Sequence, residues 1–400
     1  VRIEKAHAFA FMHTFEKSDP SQIISELKEF GLTGLNLALN YHASRDFLLR
    51  RGPRLEYLED GFNYYLPNFS NYSDDSLHPA RRDSYENSDA IHSIVKAAGQ
   101  LNFDLTAWGV FLHNGKLGSS NPECVVENSL GNRFLSELCP SNSQVRAYCR
   151  GLAKDLIQLG VSSLAIESLH FHGARHGEHH ERFFLEMSPI TEFLFSLCFC
   201  SSCLERFAEK QGDGAQLKSK VSMALENFLS DQDPWLGIQL TKERLSEILG
   251  AEIISYLQVR EETVSSLNSE VVEIAHSLGA TTRFVDQTPL MDMKNLQPLD
   301  QSWIVGIDPE AVRSKVDFYE PLIYRESASA AVETTHHYME RLGGDIIPIL
   351  RPTYPDNVAK DTLVKKVQSV GELKVSAIDF YLLDTMRKRD LGWIKESLNC

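Results

Sequence analysis

Eight short runs rich in β-branched or aromatic residues alternate with longer stretches of helical period, and this pattern predicts an α/β protein, a (β/α)8 TIM barrel. Length agrees: 400 residues suit one large barrel or two medium domains. The runner-up, an open doubly wound sheet, calls for a glycine-rich phosphate turn after the first strand. Phe11-Met12-His13-Thr14-Phe15 is nothing of the kind.

In order, the expected strands are 6–13, 34–41, 104–112, 163–169, 281–286, 316–323, 345–350 and 376–383. Between the first two, Asp19-Pro20-Ser21-Gln22 opens a helix, with Asp19 as cap and Pro20 in the first turn, and Gly31 closes it. Pro140-Ser141-Asn142-Ser143 leads into a helix at 144–159 that Gly160 stops. After the sixth strand, a helix at 327–342 ends at Gly343-Gly344.

Two intervals are oversized. Residues 41–88, rich in Arg, Tyr, Asn, Pro and Ser, read as a lid or substrate loop after the second strand. Residues 189–278 read as a helical excursion between the fourth and fifth strands, with helices at 189–211, 216–230 and 242–278. On this reading residues 1–400 form a single catalytic barrel, and the excursion accounts for much of the excess over the ~250 residues of a typical one.

Hydrophobic residues make up 42% and charged residues 24%, ordinary globular proportions that argue against disorder. A formal charge of −15 repels phosphate backbones and anionic bilayers, so neither nucleic acid nor membrane is an expected partner. A neutral carbohydrate is compatible with that field, and homo-oligomerisation is left open. No stretch approaches the ~20 continuous apolar residues of a bilayer span. The N-terminus lacks the order of a secretory signal, so a cytoplasmic location is expected, with a removed leader left open because the chain starts at Val1. Seven cysteines, three of them crowded into Cys198-Phe199-Cys200-Ser201-Ser202-Cys203, suggest metal or a reduced compartment over a disulfide framework.

A barrel places its chemistry at the C-terminal ends of its strands. In the fourth strand Leu164 and Ile166 share one face and Ala165 and Glu167 the other, so Glu167 is expected to point inward near the mouth. A buried carboxylate there needs a role or a partner, which makes Glu167 the leading catalytic candidate beside a structural ion pair. The following run, Ser168 to Glu181, holds five of the fourteen histidines, among them His170 and His172. Imidazoles there suit sugar hydroxyls, proton shuttling or a metal. Other strand ends contribute His13; Asn40, Tyr41 and His42; Trp108, His113 and Asn114; Tyr324 and Arg325; Arg351 and Tyr354; and Asp384. Aromatic and hydrogen-bonding groups together suit a polyhydroxylated ligand. Ordinary glycoside hydrolysis uses two carboxylates, and the candidates to partner Glu167 are Asp286 and Glu320, each with a salt-bridge or capping role as alternative.

Leu138-Cys139-Pro140-Ser141-Asn142-Ser143-Gln144-Val145-Arg146, then Glu167, then Cys198-x-Cys200-x-x-Cys203 resemble the glycoside hydrolase family 42 β-galactosidases and related uncharacterised barrel hydrolases. The resemblance covers the central quarter of the chain. It implies that Cys139, Cys198, Cys200 and Cys203 bind a structural zinc, with buried reduced cysteines as the alternative. No organic cofactor is expected. Departures accompany the resemblance: the family's acid/base glutamate follows an asparagine, whereas Glu167 follows Ile166, and its seventh-strand nucleophile has no counterpart in Ile347–Pro355. Glu167 is therefore a candidate for either acid or nucleophile. The segment 316–324 also looks like the sixth strand of other glycoside-hydrolase-like barrels. The expected activity is hydrolysis of O-glycosidic bonds in a glycoside or oligosaccharide. The alternatives are a metal-dependent hydrolase or deacetylase using the His170–His180 loop, and a carbohydrate-binding barrel without chemistry.

Overall fold

The computed structural model describes residues 3–16, 18–50, 54–81, 90–175, 182–291 and 297–399. Eight parallel strands surround one axis: β1 (Lys5–Phe11), β2 (Gly34–Tyr41), β3 (Asp104–Val110), β4 (Ser163–Glu167), β5 (Thr281–Asp286), β6 (Phe318–Pro321), β7 (Ile349–Leu350) and β8 (Ala377–Phe380). Pairing runs in sequence order from β6 back to β1, then to β8 and β7. Bridges from Tyr319 to Ile346 and from Leu322 to Ile349 join β6 to β7, so the parallel sheet closes into the expected barrel.

The barrel helices are α1 (Pro20–Glu29), α2 (Ala90–Gln100), α3 (Ser143–Gln158), α4 (Glu252–Ser277), α5 (Pro309–Arg313), α6 (Ala328–Leu342), α7 (Lys360–Gly371) and α8 (Lys388–Asn399). Their signals act as expected. The Asp19 carboxylate accepts from the Ser21 amide at 3.1 Å, and Gly31 leaves α1 at φ +89°. Asn142 accepts from the Gln144 and Val145 amides, and the Ser327 hydroxyl from the Ala330 amide, each satisfying donors a first turn leaves open.

Several boundaries differ from expectation. The first strand stops at Phe11, and Met12–Phe15 turns into a buried 3-10 helix that carries His13. Only Ile349–Leu350 of the expected 345–350 is regular strand, because Pro348 has no amide to donate to a ladder. The helix expected at 189–211 is two, Pro189–Ser196 and Ser201–Glu209, with Cys198 and Cys200 in the connecting turn. The helix expected at 242–278 is also two, Lys242–Leu249 and α4, divided at Gly250, whose φ of +91° no helix accommodates. The expected irregular loop after β2 contains a hairpin, Ser44–Leu48 with Arg54–Leu58, and a short strand, Phe62–Asn63, that pairs antiparallel with the end of β2.

The excursion buries its own apolar cluster, including Ile190, Leu194, Leu217, Val221, Leu245 and Tyr256. Below the mouth, the barrel interior holds a charged layer. Arg283 on β5 donates to Glu320 on β6 at 2.7 Å and reaches Asp379 on β8 at 3.5 Å, and Asn36 on β2 donates to Asp379 at 2.6 Å. His7 on β1 lies 3.7 Å from the same carboxylate. Burial and the nearby Asp379 charge push the Glu320 carboxyl up against the pull of Arg283.

Candidate active site

Glu167 ends β4, buried, at the C-terminal mouth of the barrel. Its carboxylate accepts from the indole N–H of Trp108 on β3, and Gln287, the residue after β5, donates its Nε2 to Oε1 at 2.6 Å. Desolvation dominates and raises the carboxyl pKa to about 7, against the two donors that favour the charged form. An aromatic wall surrounds it. Trp108 packs on Phe9, Tyr41 and Tyr381 at centroid distances of 4.9, 4.9 and 6.0 Å. The Tyr41 and Tyr381 hydroxyls meet at 3.2 Å, Tyr324 lies 5.9 Å from Tyr381, and the Arg351 guanidinium sits 4.1 Å over the Tyr324 ring. Burial holds the phenols of Tyr41, Tyr324 and Tyr381 above their ordinary value, so they stay neutral donors.

Four imidazoles extend from this wall. His42 stacks on Tyr41 and on His113 at 4.2 and 4.6 Å, His113 lies 6.0 Å from His172, and His172 lies 4.6 Å from His170. His172 Nδ1 meets the buried Glu137 carboxylate at 2.5 Å, and His170 Nδ1 donates to the Phe171 carbonyl at 2.7 Å. Burial lowers the pKa of His42, His170 and His172, which leaves neutral rings able to donate and accept hydrogen bonds.

The remaining expected residues are placed differently. Asp286 alternates with Gln287, so its side chain faces away from Glu167 toward the helix layer. There it accepts from the hydroxyls of Tyr319 and of Tyr338 on α6, at 3.1 and 2.7 Å, and from the Thr288 amide at 2.8 Å. Glu320 does face inward, but its register with Val285 sets it one interior position below Gln287, in the layer held by Arg283. Among the described residues, neither carboxylate shares a hydrogen-bond partner with Glu167. Asn40 braces β2 to β3 through both polar atoms of Val110, and Asn114 caps the helix Gly115–Ser120. Asp384 accepts from the Phe11 amide and the Thr14 hydroxyl, both at 2.7 Å, and burial raises its carboxyl to about 6. His13 lies within 3.4 Å of Glu56 and 3.6 Å of Glu16. Tyr354 is 79% exposed and stands clear of the wall. Residues 176–181, with His176, His179 and His180, lie outside the described residues.

Sequence reasoning missed Gln287, Glu137 and the role of Tyr381. Strand parity carried on from Arg283 and Val285 would have found Gln287.

Cys139, Cys198, Cys200 and Cys203 converge, buried, with all four sulfurs within 4.8 Å of one another. Cys139 Sγ lies 3.8, 3.5 and 3.6 Å from the sulfurs of Cys198, Cys200 and Cys203. A tetrahedron of thiolates about 2.3 Å from a cation has edges of about 3.8 Å, so the set fits a metal ion. Among the described residues it is the only group of three or more metal-binding side chains so arranged. The cluster joins the loop before α3 to the start of Ser201–Glu209, clamping the excursion to the barrel.

A cavity of about 550 Å³ opens between the loop after β4, the helix Pro189–Ser196 and the loop after β5. Gln287 forms part of its wall, with His170, His172, Phe193, Leu240 and Leu290.

No family model and no curated protein matches the chain. Solved structures similar in fold include the β-galactosidase of the psychrophilic Marinomonas ef1, with TM-score 0.59 and 9% identity over 99% of this chain and 59% of that one. They also include α-L-fucosidase isoenzyme 2 from Paenibacillus thiaminolyticus, with TM-score 0.52 and 8% identity over 100% of this chain and 49% of that one. A third is the endo-1,4-β-mannanase of Rhizomucor miehei, with TM-score 0.51 and 10% identity over 100% and 94%. The chain thus spans about three fifths and one half of the first two. At these identities the likeness is one of fold.

Proposed function

We propose that the protein is a glycoside hydrolase in which Glu167 gives its proton to the glycosidic oxygen as the leaving alcohol departs and regains a proton from water. One observation carries the reading: a carboxyl at the end of β4, in the barrel mouth, stays protonated to about pH 7 because it is buried, while Trp108 and Gln287 fix its orientation. A general acid works best when its pKa lies near the working pH. The neutral imidazoles and the tyrosine wall supply the hydrogen bonds and apolar faces that a sugar requires. Between the two roles left open for Glu167, the raised pKa supports acid over nucleophile, since a nucleophile must be ionised. Fold likeness to glycosidases agrees with the proposal and does not carry it.

A two-carboxylate mechanism needs a second carboxyl about 5 Å away for retention or ~6.5–9.5 Å for inversion. With Asp286 bonded toward α6 and Glu320 paired with Arg283, the proposal gives Glu167 the proton transfer and assigns neither of them the second role. The four cysteines are proposed to hold a structural zinc, whose chemistry would be cross-linking alone.

The test is a panel of glycosides assayed with wild type and Glu167→Gln. Turnover should fall by about 10²–10⁴-fold in the variant, and wild-type kcat should decline as pH rises through about 7, where the proton is lost. Undiminished turnover by Glu167→Gln sinks the reading. Saccharide binding without product across the panel favours the non-catalytic barrel.

A further inference from the structure

We infer that His170 is the second catalytic group, the base that takes a proton from the water attacking the anomeric carbon, so that hydrolysis inverts the anomeric configuration; the inference rests on the proposed acid role of Glu167. Of the two carboxylates expected to partner Glu167, Asp286 is bonded toward α6 and Glu320 to Arg283. The second role is open to another base, and a neutral imidazole can fill it.

His170 lies in the loop that follows Glu167. Between them Ser168 takes a φ of +56°, a left-handed conformation that is costly for a residue with a side chain and persists where the surroundings fix it. The imidazole beyond this turn is buried, its residue 3% exposed. Its Nδ1 donates to the Phe171 carbonyl at 2.7 Å, so in the neutral ring Nε2 carries the lone pair. Nε2 is buried and bonds no partner among the described residues. An acceptor hidden without a donor is costly, and His170 lines the cavity of about 550 Å³, from which a water can supply one.

Gln287 ties this lone pair to the acid. Its Nε2 donates to Glu167 at 2.6 Å, and its amide lies close to the His170 ring without bonding Nε2. Acid and base therefore adjoin one amide. Inverting enzymes keep such a pair ~6.5–9.5 Å apart, which leaves room for the water. Burial keeps the ring neutral and able to accept, while the Phe171 carbonyl and the charges of Asp286 and Glu137 favour the imidazolium once it forms.

In the step itself the water oxygen bonds the anomeric carbon and its proton passes to His170 Nε2. The bond to the leaving oxygen breaks with its electron pair, and that oxygen takes the Glu167 proton. The imidazolium then releases its proton to solvent and Glu167 regains one, so one water is consumed for each bond broken.

Proton NMR of the first sugar released by wild type reads the outcome. The inverted anomer is expected, and the retained anomer overturns the inference without any variant. Kinetics then separate base from acid, because a dinitrophenyl glycoside departs without a proton and a methyl glycoside does not. His170→Ala should lower kcat about 10²–10⁴-fold on both, whereas Glu167→Gln should slow the methyl glycoside far more than the dinitrophenyl one. Azide attacks without a base. It should restore dinitrophenyl turnover in His170→Ala and yield the glycosyl azide of inverted configuration, a rescue that a merely structural role does not allow. Undiminished turnover by His170→Ala overturns the base role. So does a loss that azide leaves in place in a variant folded by circular dichroism; should the variant misfold, the wild-type anomer still decides. Wild type that hydrolyses no glycoside, or Glu167→Gln that loses nothing on the methyl glycoside, is failure of the acid reading instead.

Discussion

Glu167 shows how one position trades stability against chemistry. Its pKa, raised from the ordinary 4.5 to about 7, means that the folded state holds the proton more tightly than the unfolded chain. The stability this contributes is present below pH 4.5 and lost as pH rises through 7. At about 1.4 kcal/mol per unit, the loss is about 3 kcal/mol. Glu167→Gln carries no charge, so urea unfolding should find it gaining about that much on wild type between pH 4.5 and pH 8. Gln287→Leu removes a donor that favours the charged form. The alkaline limb of the wild-type rate profile should therefore move up, by roughly one unit, in that variant. The inward phase of Glu167 was legible because parity within one strand is local. Asp286 drew attention for its charge, while the neutral Gln287 beside it carried no compositional signal.

Among the elements, the Asp19 cap and the glycine stops were legible, while the Asn142 and Ser327 caps and the interruptions were not. Asp19, Asn142 and Ser327 open their helices and Gly31, Gly160 and Gly343 close theirs, because capping is a bond between residues two to four apart. Nothing in the helical period of 189–211 announces a break. The break answers a demand from elsewhere: Cys198 and Cys200 must leave the helix to bring their sulfurs to Cys139, 59 and 61 residues earlier. With the proposed zinc held by the four thiolates, elemental analysis should find one ion per chain in wild type and close to none in Cys203→Ser, and urea titration should find the variant less stable by on the order of several kcal/mol. Full metal content in the variant would remove the four-thiolate site.

Across the whole molecule, closure of the barrel brings charges from distant strands into one buried layer. Arg283 is the cation that Glu320 and Asp379 share there. Arg283→Met should destabilise by about 3–5 kcal/mol at pH 7, since it leaves carboxylates buried without a counter-ion. Adding Glu320→Gln should recover part of that loss, and additive costs in the double variant would deny the pairing. The eightfold alternation, the Asp19 cap, the inward phase of Glu167 and the clustering of three cysteines follow from spacing along the chain and needed no structure. Tertiary structure alone decided that Gln287 reaches Glu167, that Asp286 faces α6 and that Glu320 lies a layer below the mouth, while Cys139 as fourth sulfur came from the family resemblance and not from spacing. Local spacing sets which way a side chain points from its own strand or helix. Which groups meet depends on the register between strands far apart in sequence, and only closing the barrel sets that register.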